Sequence, residues 1–141
     1  MPASGRESGV GGRRAAREAA LQVLFAVEVG RRDPSEALTE AFEQPVTHGQ
    51  ELFVKELVFG TLEQAESIDA VIAPLLKDWT IDRLPTIDRL VLRMAVYELS
   101  TMGTPRAVAI NEAVDLAKKF STADSGRFVN GVLSRVDLPR A

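Results

Sequence analysis

Lys118, Lys119 and Arg127 interleave with Phe120 and Phe128 in one short stretch, and these residue types together suit one kind of chemistry. Rings that stack on bases beside cations that take phosphates make a platform for single-stranded nucleic acid. The same residues also fit a plainer arrangement, with both rings in the core and the cations complementing the negative end of a helix dipole. Residue types alone leave both readings open. A second cationic group, Arg13, Arg14 and Arg17, stands at the head of an apolar helical pattern. Acidic side chains are the favourable ones at a helix N-terminus, so three arginines there oppose the dipole. Either they face an anionic partner, or they form a solvated face relieved by Glu18 and salt. Phe25 follows on the same pattern, and spacing does not assign it to the patch or to the core.

Other chemistry is missing from the pattern. The single histidine, His48, lies in a turn without cysteine or a metal-binding helix motif around it, so neither a metal site nor a histidine-activated nucleophile is expected. Carboxylates are numerous, but they fall on amphipathic faces and no pair is marked as an acid and base couple. Asn111 and Glu112 come nearest, and beside a core stripe they suit a structural hydrogen-bond network. The early GVGG lacks the lysine and hydroxyl residue of a phosphate loop. The expectation is no catalytic residue, no metal and no cofactor.

The elements that must position the two cationic groups read as helices throughout, because no segment alternates with period two for long enough to make a sheet. Residues 1–12 are Gly- and Ser-rich and read as a disordered arm, followed by a single helical domain over 13–138. Ala16, Ala20, Val23, Leu24 and Val27 share one face of a first helix that Gly30 closes. Asp33, Pro34 and Glu36 provide cap, first-turn proline and capping acid for a second. Thr47 caps a third, with Leu52, Phe53, Leu57 and Val58 inward. Residues 67–76 read as another helix or a kinked extension of the third, with Pro74 near its end, and Trp79 lies in a connector before a Thr80 cap. Pro85 precedes a long helix with Ile87, Leu90, Val91, Met94 and Ala95 buried, Tyr97 and Glu98 past that stripe, and Gly103 at its end. Thr104 and Pro105 start the next, striped by Ile110, Ala113, Val114 and Ala117. The turn STADSG leads to the last, bearing Phe128, Val129, Val132, Leu133 and Val136. Within it Gly131 predicts close approach of a neighbouring helix, with Asn130 bonding across the contact. The class is all-α, with about seven helices.

At 141 residues the chain is long enough to bury a core without cross-links, and it has no cysteine. No apolar run reaches membrane-spanning length and no signal sequence is evident, which together predict a cytoplasmic protein that does not meet membrane. The net charge of -3 conceals a division. Residues 1–32 carry six arginines against three glutamates, a net of +3, and residues 33–88 carry twelve acids against three bases, a net of -9. Residues 89–141 return to +3 with eight bases and five acids. Local field outweighs total charge when phosphates are met, so both basic ends are expected to serve a nucleic-acid face.

The segments RRAAREAALQVLF, WTIDRLPTIDRLVLRMAVYEL, AVAINEAVDLAKKF and SGRFVNGVL resemble the NusB family of transcription antitermination factors over almost the whole chain after residue 12. The resemblance implies two packed helical bundles without catalytic activity. It also implies binding of boxA-type RNA together with NusE, a small-subunit ribosomal protein, and an indirect link to RNA polymerase and other Nus factors. Carried over by motif, the RNA-binding residues are Arg13, Arg14, Arg17 and Phe25, the last where many members have tyrosine, and then Lys118, Lys119, Phe120, Asp124, Ser125, Arg127 and Phe128. Partner contacts implied for the acidic region and long helix are Glu66, Asp69, Asp82 and Glu98. Some members form homodimers that cover the RNA face. The RNA-recognition domain of RsmB-like RNA methyltransferases resembles the same module, but a catalytic domain follows it there, and with Ala141 as the last residue none is expected here. A helical protein-interaction module without RNA affinity is the other alternative.

Overall fold

The computed structural model describes residues 12–138, in which seven α-helices and short 3-10 and π segments account for all regular structure. The arm expected over residues 1–12 lies outside the described residues except for Gly12, which already belongs to the first helix. The helices are α1 (Gly12–Glu28), α2 (Pro34–Phe42), α3 (Glu51–Glu63), α4 (Ala65–Ile72), α5 (Thr86–Tyr97), α6 (Arg106–Phe120) and α7 (Ala123–Leu133). The chain divides into two units, one running through Phe59 and the other beginning at Gly60.

In the first unit α1 packs on α2 and on the 3-10 turn Pro45–Thr47. Ala16, Ala20, Leu21, Val23 and Leu24 are buried along α1, as its 3.6-residue periodicity requires. Asp33 caps α2 by accepting the Glu36 N–H at 3.0 Å, and Pro34 occupies the first turn. After α1, the left-handed conformation falls on Arg31 (φ 54°) and not on Gly30. Arg32 then pairs with Glu40 at 2.6 Å, and the hydrogen bond from Arg32 holds the Glu40 carboxyl below its ordinary range. Thr47 does not cap the third helix. It is fully buried, and its hydroxyl donates to the carbonyls of Ala41 and Gln44, closing the turn after α2. Helix α3 starts four residues later, where the Glu51 carboxylate accepts the Gly49 N–H. Leu57 and Val58 point inward as expected, but Leu52 is 84% exposed, because it lies off the face that Val54, Leu57 and Val58 define.

In the second unit α5 packs against α4, α6 and α7, and α6 against α7. Leu90, Val91, Met94 and Ala95 of α5, Ala113 and Ala117 of α6, and Val129, Val132 and Leu133 of α7 are buried between them. Pro74 falls in a 3-10 turn, Ala73–Leu75, that ends α4, which accommodates its missing N–H. Pro85 directly precedes α5. A π segment, Glu98–Met102, extends α5 to Gly103, whose φ of 71° ends it. Thr104 does not cap α6. Its hydroxyl instead donates to Glu98 Oε1 at 2.8 Å, and α6 begins at Arg106 after Pro105.

Close helix approach occurs at glycines other than the one expected. A Cβ on Gly60 would lie 2.0 Å from Cζ of Tyr97, so this glycine admits the buried tyrosine against α3. A Cβ on Gly126 would come within 2.7 Å of the Lys118 side chain, which marks the tight contact of α7 with α6. Gly131 has nothing within 4 Å of its would-be Cβ, and both it and Asn130 are exposed. The expectation of packing there is overturned: Gly131 sits on the outward face of α7, opposite Val129 and Val132.

Candidate nucleic-acid interface

The α6–α7 joint is built by two local features. Helix α6 ends with Lys118 and Lys119 in its last turn, where cations suit the dipole. Thr122 then caps α7, accepting the Ser125 N–H at 3.0 Å. This tight turn sets the ends of the two helices side by side. Lys118, Lys119 and Arg127 are exposed, and Phe120 and Phe128 are half-buried, so neither ring is a closed core residue. The Lys119 ammonium lies 5.5 Å from the Phe120 ring centroid, inside cation–π range. Asp124 is exposed and ion-paired with Arg127.

Ser125 was expected among the RNA contacts, but it is only 6% exposed and is occupied within the fold. Its hydroxyl donates to Asp88 Oδ2 at 3.0 Å and lies 2.9 Å from the Ser121 hydroxyl. Asp88 stands on the first turn of α5, and its buried Oδ1 has no hydrogen-bond partner. A carboxylate at this helix position would ordinarily reach back to the N–H of the capping residue, but that residue is Pro85, which has none. Above this network an apolar cleft of about 200 Å³ is lined by Trp79, Leu84, Pro85, Thr122 and Phe128. Trp79, in the connector before α5, is 54% exposed although it lines this cleft. The cleft is smaller than the roughly 300 Å³ of a drug-sized ligand site, and suits one ring more than a cofactor.

The arginine group lies in the first unit and has a different construction. No acid occupies the first turn of α1. Arg13 and Arg14 are exposed, whereas Arg17 is 5% exposed, so its expected place on an accessible face is corrected. The Phe53 ring of α3 lies under both guanidinium groups, with centroid distances of 4.1 Å to Arg13 and 5.3 Å to Arg17. Arg13 also donates from Nη1 to Gln50 Oε1 at 2.9 Å. Phe25, which spacing left unassigned, is 38% exposed. Phe53, expected inward, is half-buried, and neither it nor Gln50 is marked by sequence as a partner of Arg13, since the meeting spans 37 residues or more.

The residues expected to meet a protein partner divide as well. Glu66 and Asp82 are exposed. Asp69 is held by Arg93, whose Nε and Nη2 each reach one carboxylate oxygen at 2.8 Å. Glu98 is 3% exposed and accepts the Thr104 hydroxyl, so it secures the end of α5 and does not present a surface charge. Among the described residues no group of three His, Cys, Asp or Glu side chains could hold a metal ion, and no helix is long and apolar enough to cross a membrane.

Exposed cations and half-open rings grouped on helices are, in class, the surface of a binding protein. The NusB family model matches residues 14–137, through both units. The transcription antitermination protein NusB of Desulforamulus reducens is 43% identical over 127 residues, covering 89% of each chain. Among solved structures, T. maritima NusB superposes with a TM-score of 0.80 at 36% identity, over 88% of this chain and 89% of that one. A crystal structure of the antitermination factors NusB and NusE in complex with dsRNA gives a TM-score of 0.76 at 30% identity, over 90% and 96%. The chain belongs to the NusB family, and is an antitermination factor without catalytic activity.

Proposed function

We propose that this protein is a cytoplasmic RNA-binding adaptor that takes boxA-type single-stranded RNA together with NusE and couples it to RNA polymerase and other Nus factors. The observation that carries the reading is the α6–α7 joint, where exposed Lys118, Lys119 and Arg127 surround two rings that are half-open to solvent. Lysines there neutralise phosphates, and Phe120 and Phe128 offer faces for bases, Phe128 at the mouth of a cleft sized for one ring. Arg13 and Arg14 add phosphate contacts at the head of α1, and Phe25 stands about three turns further along the same helix. Ser125 fixes the turn of the joint, and in the first unit Arg17 shares the Phe53 ring with Arg13. A similar structure, of NusB and NusE in complex with dsRNA, supports NusE and RNA as the kinds of partner.

NusE is basic in kind, as ribosomal proteins generally are, and the acidic middle of the chain, with exposed Glu66 and Asp82, suits it electrostatically. A partner that neutralises these acids and adds RNA contacts raises RNA affinity. Such coupling is typically about 1–3 kcal/mol and is reciprocal. Calorimetric titration of boxA-type RNA into the protein, with and without NusE, tests the adaptor role; a scrambled strand and a duplex of the same sequence serve as controls. Tighter binding of the single strand with NusE present is expected. Equal affinities would leave a lone RNA binder, and failure of both RNA and NusE to bind would leave an interaction module or a homodimer.

A further inference from the structure

We infer that Phe53 is a positioning residue for RNA, holding the Arg13 guanidinium in the orientation in which it meets a phosphate; this rests on the reading that Arg13 contacts RNA. Two observations fix the plane of that group. The Phe53 ring lies 4.1 Å below the guanidinium carbon, which sets its tilt, and buried Gln50 accepts from Nη1 at 2.9 Å, which sets its rotation. Arg13 itself remains exposed, so its other N–H donors are offered to solvent while the side chain is held. The second guanidinium over the same ring, Arg17 at 5.3 Å, explains why the ring is needed. Two like charges stand close together at a helix N-terminus that already disfavours them, and the negative face of the ring offsets part of that cost. An arginine on a flexible stem would lose rotamer freedom on meeting a phosphate, and a stacked, hydrogen-bonded one has already lost it. Phe53 thus acts on RNA without touching it.

The test separates orientation from charge by the salt dependence of binding to a boxA-type single-stranded RNA oligonucleotide. Arg13→Ala removes a phosphate contact and should lower the salt slope by about 0.7. Phe53→Leu keeps every charge, so it should weaken binding about three- to tenfold at an unchanged slope, and Phe53→Tyr should restore wild-type affinity. Arg13→Lys keeps the charge but loses the stacked fork, and should give a comparable loss that is not additive with Phe53→Leu. A folded Phe53→Leu protein with wild-type affinity, beside an Arg13→Ala protein that has lost affinity and slope, overturns the positioning role and leaves the RNA contact standing. An Arg13→Ala protein unchanged in both measures overturns the contact and the positioning role together. Should Phe53→Leu not fold, Arg13→Lys decides: loss at constant slope supports the inference, and no loss overturns it.

Discussion

The head of α1 and the α6–α7 joint contain the same ingredients, cations and phenylalanine rings, and use them in opposite ways. At α1 the ring is a floor: Phe53 lies beneath Arg13 and Arg17, and one of the two cations, Arg17, is buried. At the joint the rings are half-exposed beside cations that stand in solvent, and the buried polar residue is a serine held by a carboxylate. A cation and a ring close in sequence therefore do not say which supports the other. That depends on what lies behind them. At α1 it is a ring from another helix, and at the joint it is a hydrogen-bonded turn on the N-terminal end of α5.

The largest expected effect sharpens the contrast within the joint. Ser125→Ala should destabilise the fold by about 1–3 kcal/mol, because it leaves the buried Asp88 carboxylate without its donor, and chemical denaturation reads the loss. Phe120→Ala or Phe128→Ala should cost about 1–3 kcal/mol of RNA affinity and much less stability. If the ring variants unfold while their folded fraction binds normally, the rings are packing residues and the contrast disappears.

The next comparison is between the arginines. Replacing Arg13 and Arg14 together by alanine should lower the salt slope of RNA binding by about 1.4, the single-strand value for two contacts. Arg17→Ala should instead lower the melting temperature through lost packing of its buried stem, with a slope close to wild type. An Arg17→Ala protein of full stability with a reduced slope would place Arg17 with the other two.

A smaller effect is expected on the outer face of α7. Gly131→Ala should raise stability by up to about 1 kcal/mol, since the added methyl meets nothing and a helical glycine is replaced, and RNA binding should stay unchanged. Loss of RNA binding in this variant would extend the interface beyond the joint. The smallest effect belongs to the exposed Arg32–Glu40 pair. The Glu40 carboxyl is held below its ordinary value by the hydrogen bond from Arg32, so its contribution is present above the unfolded carboxylate pKa and fades as pH falls through the folded one. Glu40→Gln should flatten a small part of the acid limb of stability, and an unchanged acid limb would show that solvent screens the pair fully.

The amino-acid sequence by itself determined the helical class, the order of the helices and the family. Helical periodicity and turn residues such as Asp33, Pro34, Pro85 and Gly103 are local signals, read within a few neighbours. It also placed the exposed cations of the joint at a helix end. Only the tertiary structure decided the fate of individual polar residues. Ser125 meets Asp88 across 37 positions, Asp69 meets Arg93 across 24, and Arg13 meets Gln50 across 37. Nothing in local spacing marks which member of a motif will be drawn inward by such a partner. The same holds for glycine: Gly60, Gly126 and Gly131 all lie within helices, yet only the first two have neighbouring side chains pressed against them. A pattern of spacing defines a face, whereas burial depends on what another part of the chain brings to that face.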